Sequence, residues 1–417
     1  MELIADLHLH SKYSRAVSQQ MVIPEIAKWA RKKGINLVGA PDWTHPLWVK
    51  ELRRDLKEVG EGVYAYREDL GGPRFLLVTE IANIYSQGGK GHRIHNLVLA
   101  PNFEMVEEIN KQLQGHGVKL LADGRPMTGL SSLELCELVF SVSKECLVIP
   151  AHVWTPWYSL YGSRSGFDSI RECYGEFSNQ IHAIETGLSS SPAMNWRIKE
   201  LDKRSIVSFS DAHSPRKLGR EATVFRLENT EKVSYEEIKK AIINEQIAYT
   251  IEFYPEEGKY HYTGHRHCGI KQSPEETKKL GTTCPVCGKP LTVGVMHRVE
   301  QLASRPSDFR PAKRPDYKML VPLMEILAES LGYGFSSQIV ETEYNRLIAE
   351  FVSEFNVLLN VDIREITKVS GEKVAEGLRR VREREILIDP GYDGVFGTVK
   401  IWQTNKEKEG QEQMALF

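Results

Sequence analysis

The sequence predicts an α/β protein whose main part is a barrel-like sheet of mostly parallel strands covered by helices. Three observations predict it. From residue 1 to about residue 250, short apolar runs alternate with amphipathic stretches at helical spacing. The apolar runs are nearly continuous, which is typical of strands buried on both faces. Six or seven such runs in about 215 residues favour closure into a barrel, in which chemistry collects where strands end.

The elements follow from these runs in chain order. Strands are predicted at residues 3–5, 37–39, 75–78, 94–99, 147–149, 183–184 and 206–209. Helices are predicted between them at residues 24–33, 105–114, 133–143 and 194–203. Later in the chain, helices are predicted at residues 317–331, 339–358 and 370–385, and an extended segment at 397–402.

Residues 258–295 interrupt this pattern. They contain few large apolar side chains, six glycines and three of the six cysteines, so they would need a metal to fold. We therefore expect four parts: a catalytic barrel over residues 1–255, a small metal-binding module over 256–296, a mostly helical domain over 297–402 and a flexible tail over 403–417.

The composition is that of an ordinary globular protein. The 417 residues are 41% hydrophobic and 26% charged, with a formal charge of −2 that argues neither for nor against nucleic acid. No apolar run is long enough to span a membrane, and the N-terminus does not resemble a signal peptide. We expect a cytosolic protein with reduced thiols.

Histidines and carboxylates follow most of the predicted strands. Each alone is weak evidence, but imidazoles and carboxylates from five or six strands at one rim form a ligand set for divalent metals. Nine candidates are too many for one ion, so two or three ions (Zn, Mn or Mg) are expected, a device for hydrolysing phosphate esters. The candidates are His8, His10, Asp42, His45, Glu80, His95, His152, Asp211 and His213.

This pattern resembles the PHP superfamily of metal-dependent phosphoesterases, which implies a distorted (β/α)7 barrel over residues 1 to about 250. The resemblance implies that one metal is held by His8 and His10, with Glu80 bridging and Asp211 nearby. It implies that His95 and His152 hold a second metal, that Asp42 or His45 with His213 holds a third, and that the reaction centre comprises His8, His10, Glu80, Asp211 and His213. The chain departs from the family pattern in two places. The family's adjacent Asp-His pair is split here into Asp42-Trp-Thr-His45, and Tyr13-Ser14-Arg15 stands where the family usually has a His.

The cysteine-rich module predicts one structural zinc site. Cys284-Pro-Val-Cys287-Gly forms one knuckle, and His265 with Cys268-Gly has the spacing of a second. Among nearby histidines, His265 is preferred to His267 or His261 because of that spacing. Four protein ligands leave no open position for a substrate, so the ion would be structural.

With this ribbon and a helical extension after the barrel, the whole chain resembles the endonuclease Q family. The resemblance rests on the segments 41–46, 152–157, 260–269, 284–293 and 389–397. It implies a DNA repair nuclease that nicks 5′ to uracil, hypoxanthine, xanthine and abasic sites, leaving a 3′-hydroxyl and a 5′-phosphate. An enzyme that tests a base needs an aromatic pocket, although each rim aromatic could equally pack the barrel mouth. Candidate DNA or lesion contacts are Trp43, Trp48, Lys90, Arg93, Trp154, Trp157, Tyr158 and Arg164.

Two other functions are weighed against this one. A PHP phosphatase of a small phosphomonoester would need neither the ribbon nor the helical extension, and a non-catalytic DNA-binding scaffold would not keep so complete a ligand set. The tail also resembles a sliding-clamp (PCNA) binding peptide through Gln411, Met414 and Phe417. The expected partners are therefore damaged DNA and a sliding clamp.

Overall fold

A computed structural model describes residues 1–228 and 233–402, which form a mixed α/β fold. The strands are β1 Glu2–Asp6, β2 Leu37–Ala40, β3 Leu56–Gly60, β4 Val63–Tyr66, β5 Arg74–Gln87, β6 Lys90–Ala100, β7 Met127–Thr128, β8 Leu147–Pro150, β9 Ala183–Glu185, β10 Ser205–Val207, β11 Ala222–Arg226, β12 Ile247–Glu252, β13 Thr263–His265, β14 Ile270–Gln272, β15 Asp316–Met319, β16 Leu387–Asp389 and β17 Thr398–Lys400. The helices are α1 Ile23–Lys33, α2 Pro46–Asp55, α3 Phe103–Gly115, α4 Ser132–Val142, α5 Ile170–Tyr174, α6 Pro192–Trp196, α7 Tyr235–Ile243, α8 Pro274–Leu280, α9 Val295–Leu302, α10 Leu323–Leu331, α11 Gln338–Phe351, α12 Glu354–Leu359, α13 Ile363–Ser370 and α14 Glu372–Glu383.

The central sheet has eleven strands and is mixed, which corrects the expectation of a mainly parallel sheet. β1 pairs in parallel with β2, and β2 in parallel with β5. β5 and β6 instead form one long antiparallel hairpin, because Gly88 and Gly89 turn the chain back with φ of 57° and 76°. β6 and β8 are antiparallel, as are β1 and β11.

The two-stranded parallel sheet of β9 and β10 lies between β8 and β11. The Val153 amide, just after β8, donates to the Glu185 carbonyl at 3.1 Å, and the Ser208 amide donates to the Thr223 hydroxyl of β11 at 2.9 Å. The strand ends that carry the predicted ligands are thereby brought toward one rim.

The C-terminal helices differ from expectation in two places. Residues 317–331 form strand β15 and helix α10, because Pro322 stands between them and lacks the amide that a continuous helix needs. Residues 339–358 form two helices that meet at Val352, whose φ of 72° is incompatible with a helix. The Ser353 hydroxyl then caps α12 by accepting from the Asn356 amide. In the earlier part of the chain, the helix predicted over residues 194–203 is also divided, into the end of α6 and a 3-10 turn.

The last part of the chain is joined to the central sheet. β15, which lies within the predicted 297–402 domain, pairs in parallel with β12. No helix of the described residues is both long and apolar enough to cross a lipid bilayer. The predicted clamp-binding residues Gln411, Met414 and Phe417 lie outside the described part of the chain.

A buried ion pair joins α1 to the helical domain. The Lys33 ammonium lies 2.6 Å from the Glu354 carboxylate, and both side chains are 3% exposed. The other carboxylate oxygen of Glu354 accepts from the Leu323 amide at 3.1 Å.

We expect Glu354→Gln to lower the free energy of unfolding by about 3 kcal/mol, because it leaves the Lys33 charge buried without its counter-ion. Urea denaturation of this variant and of Glu350→Gln, an exposed control on α11, measures the difference. The double variant Lys33→Met, Glu354→Leu should recover most of the loss, since it buries no charge. An unchanged midpoint for Glu354→Gln would show that the pair is not a structural tie.

Candidate active site

The first candidate ligands lie on two segments that are hydrogen-bonded to each other. The His10 amide donates to the Ala212 carbonyl at 3.1 Å, and the Ala212 amide donates to the His8 carbonyl at 3.3 Å. These bonds hold the segment after β1 beside the segment after β10. His8, His10 and Asp211 therefore come together although about 200 residues separate them.

His8, His10 and Asp211 form one group that could hold a metal ion. The Nε2 of His10 lies 3.1 Å from Asp211 Oδ1, and the Nε2 of His8 lies 3.6 Å from the same oxygen. The His8 Nε2 is buried and has no hydrogen-bond partner among the residues that the structure describes. A buried nitrogen aimed at a carboxylate without a bonded partner is the arrangement expected of a metal ligand without its ion.

Glu80, His95 and His152 form a second group. One oxygen of Glu80, Oε1, lies 2.6 Å from His95 Nδ1 and 3.1 Å from His152 Nε2. Its other oxygen, Oε2, lies 3.4 Å from His10 Nε2 in the first group. The Glu80 carboxylate thus lies between the two groups, and its role as a bridging ligand stays a prediction.

Two further carboxylates orient the imidazoles of the first group. His8 Nδ1 donates to Glu185 Oε1 at 2.9 Å, and His10 Nδ1 donates to Asp42 Oδ1 at 3.2 Å. Such bonds fix the ring orientation and leave Nε2 free for a metal. Asp42 also accepts from the Ser11 amide at 2.6 Å and the Ser14 hydroxyl at 2.7 Å, so its oxygens are engaged with protein groups.

Glu185 was missed in the sequence. It directly follows the short apolar run of Ala183 and Ile184, which is predicted as a strand. Its position directly after a strand is the same signal that identified Glu80. Arg125 was missed too: its guanidinium lies 3.1 Å from Glu80 Oε2, but it lies in a loop whose sequence carries no signal.

Asp42, His152 and Asp211 have left-handed backbone conformations, with φ of 54°, 29° and 47°. Residues other than glycine adopt these angles at a cost and do so mainly where function needs the side chain placed. Gly187 accommodates the turn at His152, because a Cβ on Gly187 would lie 2.2 Å from the His152 Cβ. The backbone strain therefore falls on the residues that present the polar groups.

The electrostatics of the site separate its groups into charged and neutral forms. Burial lowers the pKa of His95 to about 4, against the opposing pull of Glu80, so this imidazole is neutral near pH 7. Burial would also lower the pKa of His8, but Glu185 and Asp211 outweigh it and raise that pKa well above its ordinary value. Burial would raise the pKa of Glu80, yet His95 and Arg125 hold it well below its usual range.

The two remaining candidates lie beside these groups rather than in them. The His213 ring is 4.8 Å from the His10 ring, and its Nδ1 lies 2.8 Å from the Asp211 carbonyl oxygen. His45 is buried and stacks on Tyr13 with ring centroids 4.2 Å apart.

A cavity of about 370 Å³ opens beside the two ligand groups. Its lining includes His95, Asp211 and His213 from the site, Trp157 and Tyr158 from the loop after β8, and Tyr260 from the cysteine-rich module. Three predicted lesion contacts do not reach it. Trp43, Trp48 and Trp154 are fully buried, and the indoles of Trp48 and Trp154 donate to the Pro41 carbonyl and the Asn195 side chain. This corrects the expectation for these three rings, which pack in the core.

The predicted basic contacts lie at the β5–β6 hairpin and the loop after β8. Arg93 and Arg164 line a polar cavity of about 360 Å³ together with Trp157. Arg93 lies over the Tyr158 ring at 5.6 Å. Lys90 begins β6 at the exposed tip of the hairpin.

The cysteine-rich module brings four candidate zinc ligands together. One ligand atom from each of His265, Cys268, Cys284 and Cys287 lies within 4.8 Å of the others. His265, rather than His267 or His261, supplies the imidazole of this group. Desolvation raises the pKa of Cys284, but hydrogen bonds from the backbone amides of Cys287 and Val286 outweigh it and lower that pKa to about 6. The lower pKa favours the thiolate, which is the form that binds metal.

Comparison with known proteins identifies full-length relatives. A crystal structure of the lesion-specific endonuclease PfuEndoQ from Pyrococcus furiosus superimposes with a TM-score of 0.84 at 33% identity, covering 99% of both chains. A structure of endonuclease Q in complex with a 27-mer duplex substrate that has an abasic lesion at the active site superimposes with a TM-score of 0.83 at 34% identity, covering 97% of both chains.

Two further matches concern one protein of Methanocaldococcus jannaschii, MJ0043. The chain is 36% identical to it over 267 residues, which is 63% of this chain and 33% of MJ0043. The chain thus spans about a third of the length of that relative. The family model of the MJ0043 C-terminal domain matches residues 322–385, the region of helices α10 to α14.

We expect Glu185→Gln to weaken metal binding by about 10- to 100-fold. Both oxygens of Glu185 accept hydrogen bonds, from His8 Nδ1 and from the His152 amide at 2.8 Å, and a glutamine has only one acceptor oxygen. Metal content after dialysis against graded chelator measures the change, with the exposed Glu176→Gln as control. Equal metal retention by both variants would show that Glu185 does not support a ligand.

Cys284→Ser should lose about one zinc ion per chain, because a hydroxyl is a poor replacement for a thiolate ligand. Colorimetric zinc release on thiol modification, compared with Cys146→Ser, measures it. Cys146 is buried and belongs to no ligand group of the described residues, so its variant should keep the ion. Retention of zinc by Cys284→Ser would contradict the site.

Proposed function

Since the chain belongs to the endonuclease Q family, as its sequence resemblance predicted, we propose that it is a metal-dependent endonuclease that nicks DNA at damaged nucleotides. The observation that carries this proposal is the buried Glu80 carboxylate between two histidine groups, beside an aromatic cavity. A phosphodiester beside such a centre could be cut without any protein nucleophile.

The residues fit two or three divalent ions. His8, His10 and Asp211 would hold one ion, Glu80, His95 and His152 a second, and His213 with Asp42 or His45 a third. The buried Nε2 of His8 lies beside the Asp211 carboxylate, and the neutral His95 imidazole is the form that metal binding needs. Bound ions of Zn, Mn or Mg would supply Lewis-acid activation of water and of the phosphate.

The chain's own groups account for the rest of the chemistry. Glu185 and Asp42 hold the imidazoles of His8 and His10 in the orientation a ligand needs. Arg125 is partly exposed, borders the cavity and keeps a positive charge beside Glu80, where it would offset the charge of a phosphate. His213 is about one-third exposed beside Asp211 and would be placed to exchange a proton with solvent.

The cavity beside the centre suits an extruded base. Trp157, Tyr158 and Tyr260 provide aromatic walls, and a base turned out of the helix gains stacking on such walls. We assign uracil, hypoxanthine, xanthine and abasic sites as the lesions, with the nick on the 5′ side and a 3′-hydroxyl and a 5′-phosphate as products.

Basic groups provide a path for the DNA backbone. Arg93 and Arg164 line the polar cavity, which shares Trp157 with the aromatic cavity, and Lys90 lies at the tip of the hairpin that carries Arg93. Phosphates of the strand that carries the lesion would contact these groups. The zinc ribbon, with one zinc on His265, Cys268, Cys284 and Cys287, would brace the other side of the cavity, where Tyr260 lies.

The proposal extends to the shape of the fold, to a protein partner and to the place of action. The central sheet with β9 and β10 is interpreted as a distorted (β/α)7 barrel, followed by the ribbon and the helical domain. The tail would bind a sliding clamp through Gln411, Met414 and Phe417. An enzyme that acts on chromosomal DNA would work in the prokaryotic cytosol.

End-labelled duplexes that contain one deoxyuridine, one deoxyinosine or no lesion test the function. With Mg, Mn or Zn present, we expect one nick 5′ to each lesion and none in the intact duplex, and Asp211→Asn should lower the rate at least about 100-fold because it removes a ligand charge. A small phosphomonoester is assayed alongside. Release of phosphate from it, with no nicking of any duplex, would make the protein a phosphatase and overturn the proposal.

Metal-dependent turnover is tested separately from DNA binding. The wild-type protein and Asp211→Asn should bind the lesion duplex with affinities within about threefold of each other if the loss is chemical. Lesion binding by a wild-type protein that nicks nothing would support a scaffold instead.

A further inference from the structure

Two large apolar side chains stand exposed at the rim of the metal centre. Leu121 is 66% exposed and Met127 is 59% exposed. Both belong to one segment, residues 119–127, which we call the rim loop. Between them lies Arg125, which borders the aromatic cavity and contacts Glu80 at 3.1 Å. The apolar pair therefore flanks the residue that connects the loop to the site.

The rim loop is bonded to three segments that carry site residues. The Gly124 amide donates to the Tyr13 carbonyl at 3.0 Å, just after His10. The Thr44 hydroxyl, two residues after Asp42, donates to the Gly124 carbonyl at 3.0 Å. These two bonds fix the middle of the loop from both sides.

The C-terminal end of the loop is fixed as well. The Ala82 amide, two residues after Glu80, donates to the Pro126 carbonyl at 3.0 Å, and Met127 pairs with Ala82 in the sheet. Asp123 accepts from the amides of Arg15 and Arg125 at 3.2 and 3.1 Å. The backbone from Asp123 to Met127 is therefore held beside the metal centre, and Leu121 lies two residues before this fixed part.

The surroundings of the pair favour nucleic acid as the partner. Arg15 and Lys119 are exposed beside it and have no ion pair among the described residues, so they are available to phosphates. Exposed apolar side chains gain free energy when a partner covers them. Proteins that open a duplex use such side chains, Leu and Met among them, to fill the gap between base steps.

We propose that the rim loop is a wedge: Leu121 and Met127 enter the base stack at the lesion and occupy the space left by the nucleotide turned toward the metal centre. The inference rests on the proposed function and adds to it the group that opens the duplex. The wedge matters only where a stack must be opened. A lesion in an unpaired strand should not need it.

Single-turnover nicking of a deoxyuridine duplex, compared with the same labelled strand without its complement, tests the wedge. The double variant Leu121→Ala, Met127→Ala should nick the duplex about tenfold more slowly, while its rate on the unpaired strand should change by less than about twofold. The exchange Leu121→Met, Met127→Leu keeps the apolar volume and should restore the duplex rate.

Leu70→Ala is the matched control, because Leu70 is 42% exposed but lies before β5, at the end of the sheet away from the site. It should nick both substrates as the wild type does. Equal slowing of the alanine pair on both substrates, or no slowing on either, would overturn the wedge and leave the nuclease intact. Failure of the wild type to nick any lesion would overturn the proposed function and the wedge with it.

Discussion

The arrangement of the site depends on the buried Glu80 carboxylate, which contacts both ligand groups. It is 1% exposed, and its two oxygens lie within 3.4 Å of three imidazoles and one guanidinium. A buried carboxylate is costly unless positive or hydrogen-bonding groups surround it. The strands that deliver those groups must therefore meet at one place, and the long β5–β6 hairpin, which supplies both Glu80 and His95, is the element that sets that place.

The sequence predicted the site better than the architecture. His8, His152 and Asp211 were predicted because each stands shortly after an apolar run, and His95 because it stands at the start of one; the structure brings each of them into one of the two ligand groups. The antiparallel hairpin was not foreseen, since its apolar pattern is the same whether the strand runs with or against its neighbour. A Gly-Gly pair at residues 88–89 was the available signal for the reversal.

The sequence also could not predict which aromatic side chains near the site are buried. Trp43 follows Asp42 and was predicted as a rim aromatic, but its ring is fully buried in the hydrophobic core. The pattern of apolar residues alone could not predict whether this ring faces the cavity or the core. Glu185 directly follows the predicted strand at residues 183–184 but was not among the predicted ligands, although it supports His8.

The pairing of β15 with β12 has a consequence for how the chain can be divided. β15 covers one edge of the central sheet. A fragment that ends at the predicted barrel boundary, residue 255, would leave β12 as a bare edge with unpaired backbone amides and carbonyls, a surface on which chains associate edge to edge. The catalytic part is thus not an autonomous piece to which helices were added. Its solubility depends on a strand encoded some sixty residues beyond its own end.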